Sequence, residues 1–389
     1  MASIKEAKLY NQSGQLISPV TIVDSIKMSD GTKLIDYLNS RGTVSLSGTT
    51  VSNGSTNVKE INLYRNGEWV TPYIVADSIK MRNGKKLIDA INEVLIPKSW
   101  ISVADSTFGS SDILSICYGN GKYVAVGDNG KMAYSTDGVK WTAVGNSTFG
   151  SPEIRSICYG NGKYVAGGRY GQMAYSTDGA NWTKVADSTF GNSSIYSICY
   201  ENEKFVAVGG NGRAAYSTDG VNWTKVLYST FGDSHIRSIC YGNGKYVAVG
   251  GKGQMAYSTD GVKWTAVGNS TFESNNTIYS ICYGNGKFVA GGGYGRMAYS
   301  TDGVNWTAVG NSPFDRSSDL RSVCYGNGKF FASGLGGRTA YSTDGVTWTV
   351  VGNSTFGSHG IYSICYGNGK YVAGGYEGKM TYCQVRIPE

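Results

Sequence analysis

Proline is scarce in this chain, at 6 of 389 residues, and histidine occurs only twice, as His235 and His359. Two isolated histidines leave no cluster for metal binding or for a nucleophile–base pair. No C-x-x-C pair exists to hold zinc. No apolar run approaches 18 residues, so no helical membrane span is expected. The first residues, MASIKEAKLYNQ, lack the apolar core of a secretory signal, and synthesis and folding in a cytoplasm are expected. Charge is sparse as well. The net +7 is scattered as single Lys and Arg residues, without the basic stripe of a nucleic-acid binder.

What the chain does have is glycine, tyrosine and repetition. With 56 Gly and 29 Tyr, the composition fits many short strands joined by tight turns, and long helices are not expected. Cys117, Cys158, Cys199, Cys240, Cys282, Cys324 and Cys365 all sit in the phrase S-[IV]-C-Y, 41 or 42 residues apart; Cys383 alone is out of step. Single cysteines at even spacing do not form a disulfide framework, and each reads as a small buried apolar residue of one repeat.

The full unit is I-x-S-I-C-Y-G-N-G-K-Y-V-A-V-G-x-x-G-x-M-A-Y-S-T-D-G-V-x-W-T-A-V-G-N-S-T-F-G-S. Four strand-like segments in a period of 40 to 45 residues mark a β-propeller blade. Strand A is I-x-S-I-C-Y, strand B is Y-V-A-V-G, strand C is M-A-Y-S and strand D is W-T-A-V. Asn-Gly and Asp-Gly supply positive φ at little cost and mark the turns between them.

Counting gives the blade number. S-[IV]-C-Y occurs seven times, but S-T-D-G only six, at Asp137, Asp178, Asp219, Asp260, Asp302 and Asp344. The seventh repeat stops before its Trp strand, and a matching strand, Ser99 to Val103, stands ahead of the first repeat. The expected fold is therefore all-β: a seven-bladed β-propeller over 98–389, closed by an N-terminal strand that removes two exposed sheet edges.

The phrase Y-S-T-D-G-V-N-W-T, as at Tyr299 to Thr307, resembles the Asp-box repeat of sialidase-like propellers, shortened by one residue. Similar repeats occur in many bacterial and phage propeller proteins, and the resemblance spans residues 99–383. It implies structural roles for the six Asp residues, as turn caps, and for the Trp residues, as anchors of the blade core. Catalysis is not expected. Arg386-Ile387-Pro388 matches an Arg-Ile-Pro motif of sialidases but falls in a tail after the last blade. Loop acids Glu153, Glu273, Asp315 and Asp319 occur in different blades, the last two in one loop, and glycan cleavage would need acids from adjacent blades to meet in one pocket. Gly-rich strings such as Gly127 to Gly130 precede no helix and read as B–C turns, not phosphate loops. No cofactor and no metal are expected.

Alternating strand directions place the A–B and C–D turns on one rim and the D–A loops and B–C turns on the other. The first rim is nearly uniform among repeats, with Glu201-Asn202-Glu203-Lys204 its main departure. The second varies. Ahead of the strand-A serine stand Leu114, Arg155, Tyr196, Arg237, Tyr279, Arg321 and Tyr362, and the B–C turns contribute Arg169, Tyr170, Tyr294 and Tyr376. These Arg and Tyr residues are the candidate ligand-binding set. Rings that stack on sugar faces, beside donors for hydroxyl or anionic groups, suit a glycan or a wall teichoic acid.

The first 97 residues differ. Val20 to Asp36 and Tyr73 to Asp89 are related segments 53 apart, each following a hairpin-like piece and ending in a short amphipathic helix. They predict small α+β modules over 1–41 and 63–97, joined by a Gly/Ser/Thr-rich linker over 42–62. Their D-S-[IV]-x-[LM]-x-[DN]-G-x-x-L pattern is similar to modules of tail-fibre and structural proteins from phages of Gram-positive bacteria. That resemblance implies a stalk, commonly trimeric, attached to a tail or baseplate protein. A virion receptor-binding protein that grips a host cell-surface glycan is thus the expected function, without nucleic acid and without membrane insertion. A propeller lectin or protein-binding scaffold is the alternative, and a glycan depolymerase a further one.

Overall fold

The structure, a computed structural model, describes residues 100–351 and 354–384, together with a two-stranded pair, Tyr64–Arg65 and Glu68–Trp69. Apart from that pair, the stalk modules, the linker and the Arg386-Ile387-Pro388 tail lie outside the described residues. Lys98–Gln384 forms one compact unit.

Each repeat forms a four-stranded antiparallel sheet, and there are seven. In blade 1 the strands are A (Ile113–Gly119), B (Lys122–Gly127), C (Met132–Ser135) and D (Thr142–Ala143). Strand A begins at Ile154, Ile195, Ile236, Ile278, Leu320 and Ile361 in blades 2 to 7. Blade 7 consists of Ile361–Gly367, Lys370–Gly375, Met380–Gln384 and Ile101–Ser102. Its outer pair registers Ile101 with Tyr382 and Ser102 with Thr381.

The A–B connection is a tight turn in which Asn120 and Gly121 both have positive φ, 45° and 74°, as the right-handed twist of a hairpin prefers. Strand B is apolar at nearly every position because neighbours cover both of its faces. Tyr123, Val124, Ala125 and Val126 are wholly buried. The cores lie between blades. Val124, Val126 and Met132 of blade 1 cluster with Ile154, Ile157, Tyr164 and Trp182 of blade 2. Blade 7 meets blade 1 in the same way, with Val372 and Met380 against Ile113, Tyr123 and Trp141. No blade can bury its own faces, so each is stable only with its neighbours.

Two features depart from simple hairpins. The B–C connection is a three-residue 3-10 turn, such as Asp128–Gly130, whose middle residue has positive φ. In addition, strand A carries a β-bulge in all seven blades, as between Ile113 and Ser115 or Ile154 and Ser156. One residue there has no partner across the ladder, and the strand changes facing, so Ile113 and Ile116 are both buried although three positions apart.

A backbone N–H on the exposed edge of each inner strand is satisfied by a serine of the preceding blade. The Ile116 N–H donates to Ser363 Oγ (3.0 Å), Ile157 to Ser115 (3.3 Å), Ile198 to Ser156 (2.9 Å) and Ile239 to Ser197 (3.3 Å). Ile281, Val323 and Ile364 complete the circuit on Ser238, Ser280 and Ser322. Seven side-chain bonds thus close a ring around the axis, and the first blade is bonded to the last as to any other neighbour.

Candidate functional site

The six Asp residues at the C–D turns are bound up in local structure. Asp178 Oδ1 accepts the N–H groups of Ala180 and Asn181, both at 2.8 Å, and Ser176 Oγ donates to it at 3.0 Å. Asn181 also donates its side-chain amide to Oδ2 (2.8 Å). These donors, the Asn181 N–H first, hold the carboxyl well below the usual carboxylate range. In Asp219 and Asp302 burial pushes the other way, and the corresponding donors outweigh it. Asp137, Asp260 and Asp344 keep the same backbone bonds. Trp182, Trp223 and Trp306 are buried and donate Nε1 to the turn carbonyls of Gly179, Gly220 and Gly303.

On the opposite rim the bulges set the geometry. Arg155, Tyr196, Arg237, Tyr279, Arg321 and Tyr362, with Leu114 in blade 1, occupy equivalent positions, each the residue left over by its strand-A bulge. All are half-buried. Because the seven inner strands surround the axis, these side chains form one circlet of alternating Arg and Tyr. Within it, Arg237 lies 4.4 Å from the centre of the Tyr196 ring and Arg155 5.3 Å from the same ring. Arg321 stacks on Tyr279 at 4.1 Å. Such cation–ring contacts orient the guanidinium while leaving its hydrogen-bonding edge free.

The B–C turns supply an outer tier. Tyr170 and Tyr294 are more than half exposed and sit at φ 55°, a left-handed conformation that bulky residues rarely adopt. Tyr376 stands at the edge of its turn and stacks on His359, with ring centres 4.9 Å apart. Arg169 lies over Tyr170 at 5.6 Å. The tiers are joined where a residue ahead of strand A caps the turn of the preceding blade. Asp112 accepts the Glu377 N–H (2.8 Å), Asp319 the Tyr294 N–H (3.2 Å), and His235 Nδ1 the Asn211 N–H (3.3 Å).

A pocket of about 310 Å³ opens between blades 1 and 2, lined by Asp128, Asn129, Ser151, Pro152, Glu153, Arg169 and Tyr170. Sequence reasoning selected Arg169 and Tyr170 but did not join them to Asp128 and Glu153. Two acids from adjacent blades therefore do share a pocket. Burial first, then Asp112 and Glu153, raises the Asp128 carboxyl. Glu153 is already committed, bonded to Arg155 and, at 3.4 Å, to Arg169. The signal for this pocket was the Pro152-Glu153 pair, which no other repeat has ahead of strand A. Among the described residues no group of three His, Cys, Asp or Glu is placed to hold a metal ion. Burial, followed by the thiols of Cys365 and Cys158 in the flanking blades, raises the Cys117 thiol, and burial carries Cys365 to about 12, which favours the protonated thiol over the thiolate.

No protein-family model matches the sequence, and no curated protein resembles it closely enough to count as a relative. Solved structures do match. One is YCF48 bound to D1 peptide, 16% identical, with a TM-score of 0.59 over 73% of this chain and 94% of that one. Another is the WD40 propeller domain of Doa1, at 12% identity and a TM-score of 0.57 over 73% and 96% of the two chains. A catalytically inactive virginiamycin B lyase from Staphylococcus aureus with quinupristin has a TM-score of 0.61 at 12% identity, over 74% and 98%. At such identities the likeness is one of fold, and the fold is the seven-bladed β-propeller.

Proposed function

We propose that this is a non-catalytic receptor-binding protein of the tail-fibre kind, carried on a phage or phage-tail-like particle. Its variable rim grips a host cell-surface glycan or wall polymer. The observation that carries this reading is the concentration of Arg and Tyr on one rim, in two tiers, while the other rim repeats the same turns. Residues 1–97 attach the chain to a tail or baseplate protein as a homotrimeric stalk, which rests on their resemblance to phage modules. Weak sites repeated over blades and subunits then gain by avidity, by ~10²–10⁴.

The test is binding of labelled full-length protein to candidate host cells and to their walls before and after removal of teichoic acid and polysaccharide. Loss of binding on stripping is the expected result. Binding that survives stripping would transfer the function to a protein receptor. Two observations favour other readings. Leu227 and Tyr228, 81% and 84% exposed in the loop ahead of blade 4, offer an apolar point to a protein partner. Asp128 and Glu153 in one pocket favour glycan cleavage, and soluble saccharide released from intact walls would establish it.

A further inference from the structure

The circlet contains its own template for an anion. In blade 2 the bulged Arg155 is paired with Glu153, two residues ahead, which also meets Arg169. In blade 6 the bulged Arg321 is paired with Asp319, again two residues ahead, at 3.1 Å. The position is thus built so that a carboxylate lies beside the guanidinium. Blade 4 has the arginine but not the acid: His235 stands where Glu153 and Asp319 stand.

His235 does not replace the carboxylate. Its Nδ1 accepts the Asn211 N–H, its ring packs on Tyr196 at 5.6 Å, and burial and then Arg237 lower its affinity for a proton. The Nε of Arg237 is buried without a partner, as are those of Arg155 and Arg321, but among the described residues Arg237 alone of the three has no ion pair for its terminal nitrogens; its guanidinium rests on Tyr196. The adjoining blades bring no acid to the equivalent position either, with Ser194 in blade 3 and Thr277 in blade 5. A second cation, Lys252, is exposed on the turn of the same blade, whose first N–H bonds to the His235 carbonyl at 2.9 Å. A half-buried guanidinium fork that meets no internal acceptor is available to an external one.

We propose that Arg237, held against Tyr196, is an oxyanion site, with Lys252 on the B–C turn of the same blade as a second cation, and that the ligand of the variable rim is an anionic glycopolymer. The group it takes is a sugar carboxylate or a backbone phosphodiester, gripped by the fork of Arg237 with the adjoining sugar or polyol against Tyr196. This deepens the receptor-binding reading and rests on it for the identity of the polymer.

The experiment titrates the full-length protein calorimetrically with polygalacturonate, with poly(glycerol phosphate) and with neutral dextran. One polyanion is expected to bind and dextran not to; which of the two binds assigns carboxylate or phosphodiester. Arg237→Gln should weaken that binding roughly 10-fold or more. His235→Glu should weaken it too, because it gives blade 4 the internal carboxylate of blade 2. Both variants are first checked for an unchanged melting temperature, and Arg237→Lys, which keeps charge but not the fork, should retain part of the affinity. Binding unaffected by Arg237→Gln and His235→Glu would overturn the site, as would binding of neither polyanion or equal binding of dextran. The two readings fail separately. Cell binding that persists in Arg237→Gln removes the site and keeps the receptor; polyanion binding that needs Arg237, without any cell binding, does the reverse.

Discussion

Asp178 illustrates how a charged residue with a familiar functional look is consumed by local structure. Its oxygens meet two backbone N–H groups, a serine hydroxyl and an amide, which fix the loop leading to Trp182. Replacing it with Ala removes a cap of the kind worth ~0.5–2 kcal/mol, and chemical denaturation should register a loss in that range with cell binding unchanged. Its pH dependence has a definite sign. The folded carboxyl lies below its unfolded value of about 4, so its contribution is complete above that pH and is lost as pH falls through the folded value. Asp219 and Asp302 act the same way. The melting temperature should therefore hold from pH 7 to about 5 and fall below 4. A variant with Asn at all three positions should start lower and show a shallower fall.

At the scale of the strand, the bulge links stability to display. The unpaired residue is free of the ladder and differs from blade to blade, and that is where Arg and Tyr alternate. The neighbouring serine performs the opposite task. Ser156→Ala leaves the Ile198 N–H of the next blade buried and unpaired, at a cost of ~1–3 kcal/mol, visible as a lower urea midpoint at unchanged slope. Much of this level was legible. Seven blades followed from the S-[IV]-C-Y spacing, because a hydrophobic period of that length admits few architectures. The bulge was less so. Ile113 and Ile116 stand three apart, which strict strand alternation would place on opposite faces, and that irregularity was the available clue. Of the pocket at Asp128 and Glu153 only the odd Pro152-Glu153 pair was legible; that Asp128 meets it depends on how far one blade is rotated against the next, and no repeat consensus encodes that angle.

For the molecule as a whole, stability resides in the interfaces between blades. Trp100, ahead of the outer strand of blade 7, is 4% exposed, donates Nε1 to Thr339 in blade 6 (3.2 Å) and meets Phe331 edge-on. Trp100→Ala should cost ~3–5 kcal/mol in the range of large aromatic truncations. Unfolding followed by tyrosine fluorescence and by circular dichroism should still coincide in one transition if the ring acts as a unit. Two separated transitions would mean that blade 7 opens by itself.

A circuit of two alternating kinds of residue can close only if its number of places is even. Seven places are odd, so the Arg–Tyr alternation must fail once, and it fails at Leu114, between Tyr362 and Arg155. That single defect marks one place on an otherwise alternating circuit. On the proposed receptor-binding reading, a chain molecule laid across the circlet would meet a different set of groups in each rotational setting, because only one setting brings it over Leu114. Parity thus gives the rim a fixed origin from which positions are counted.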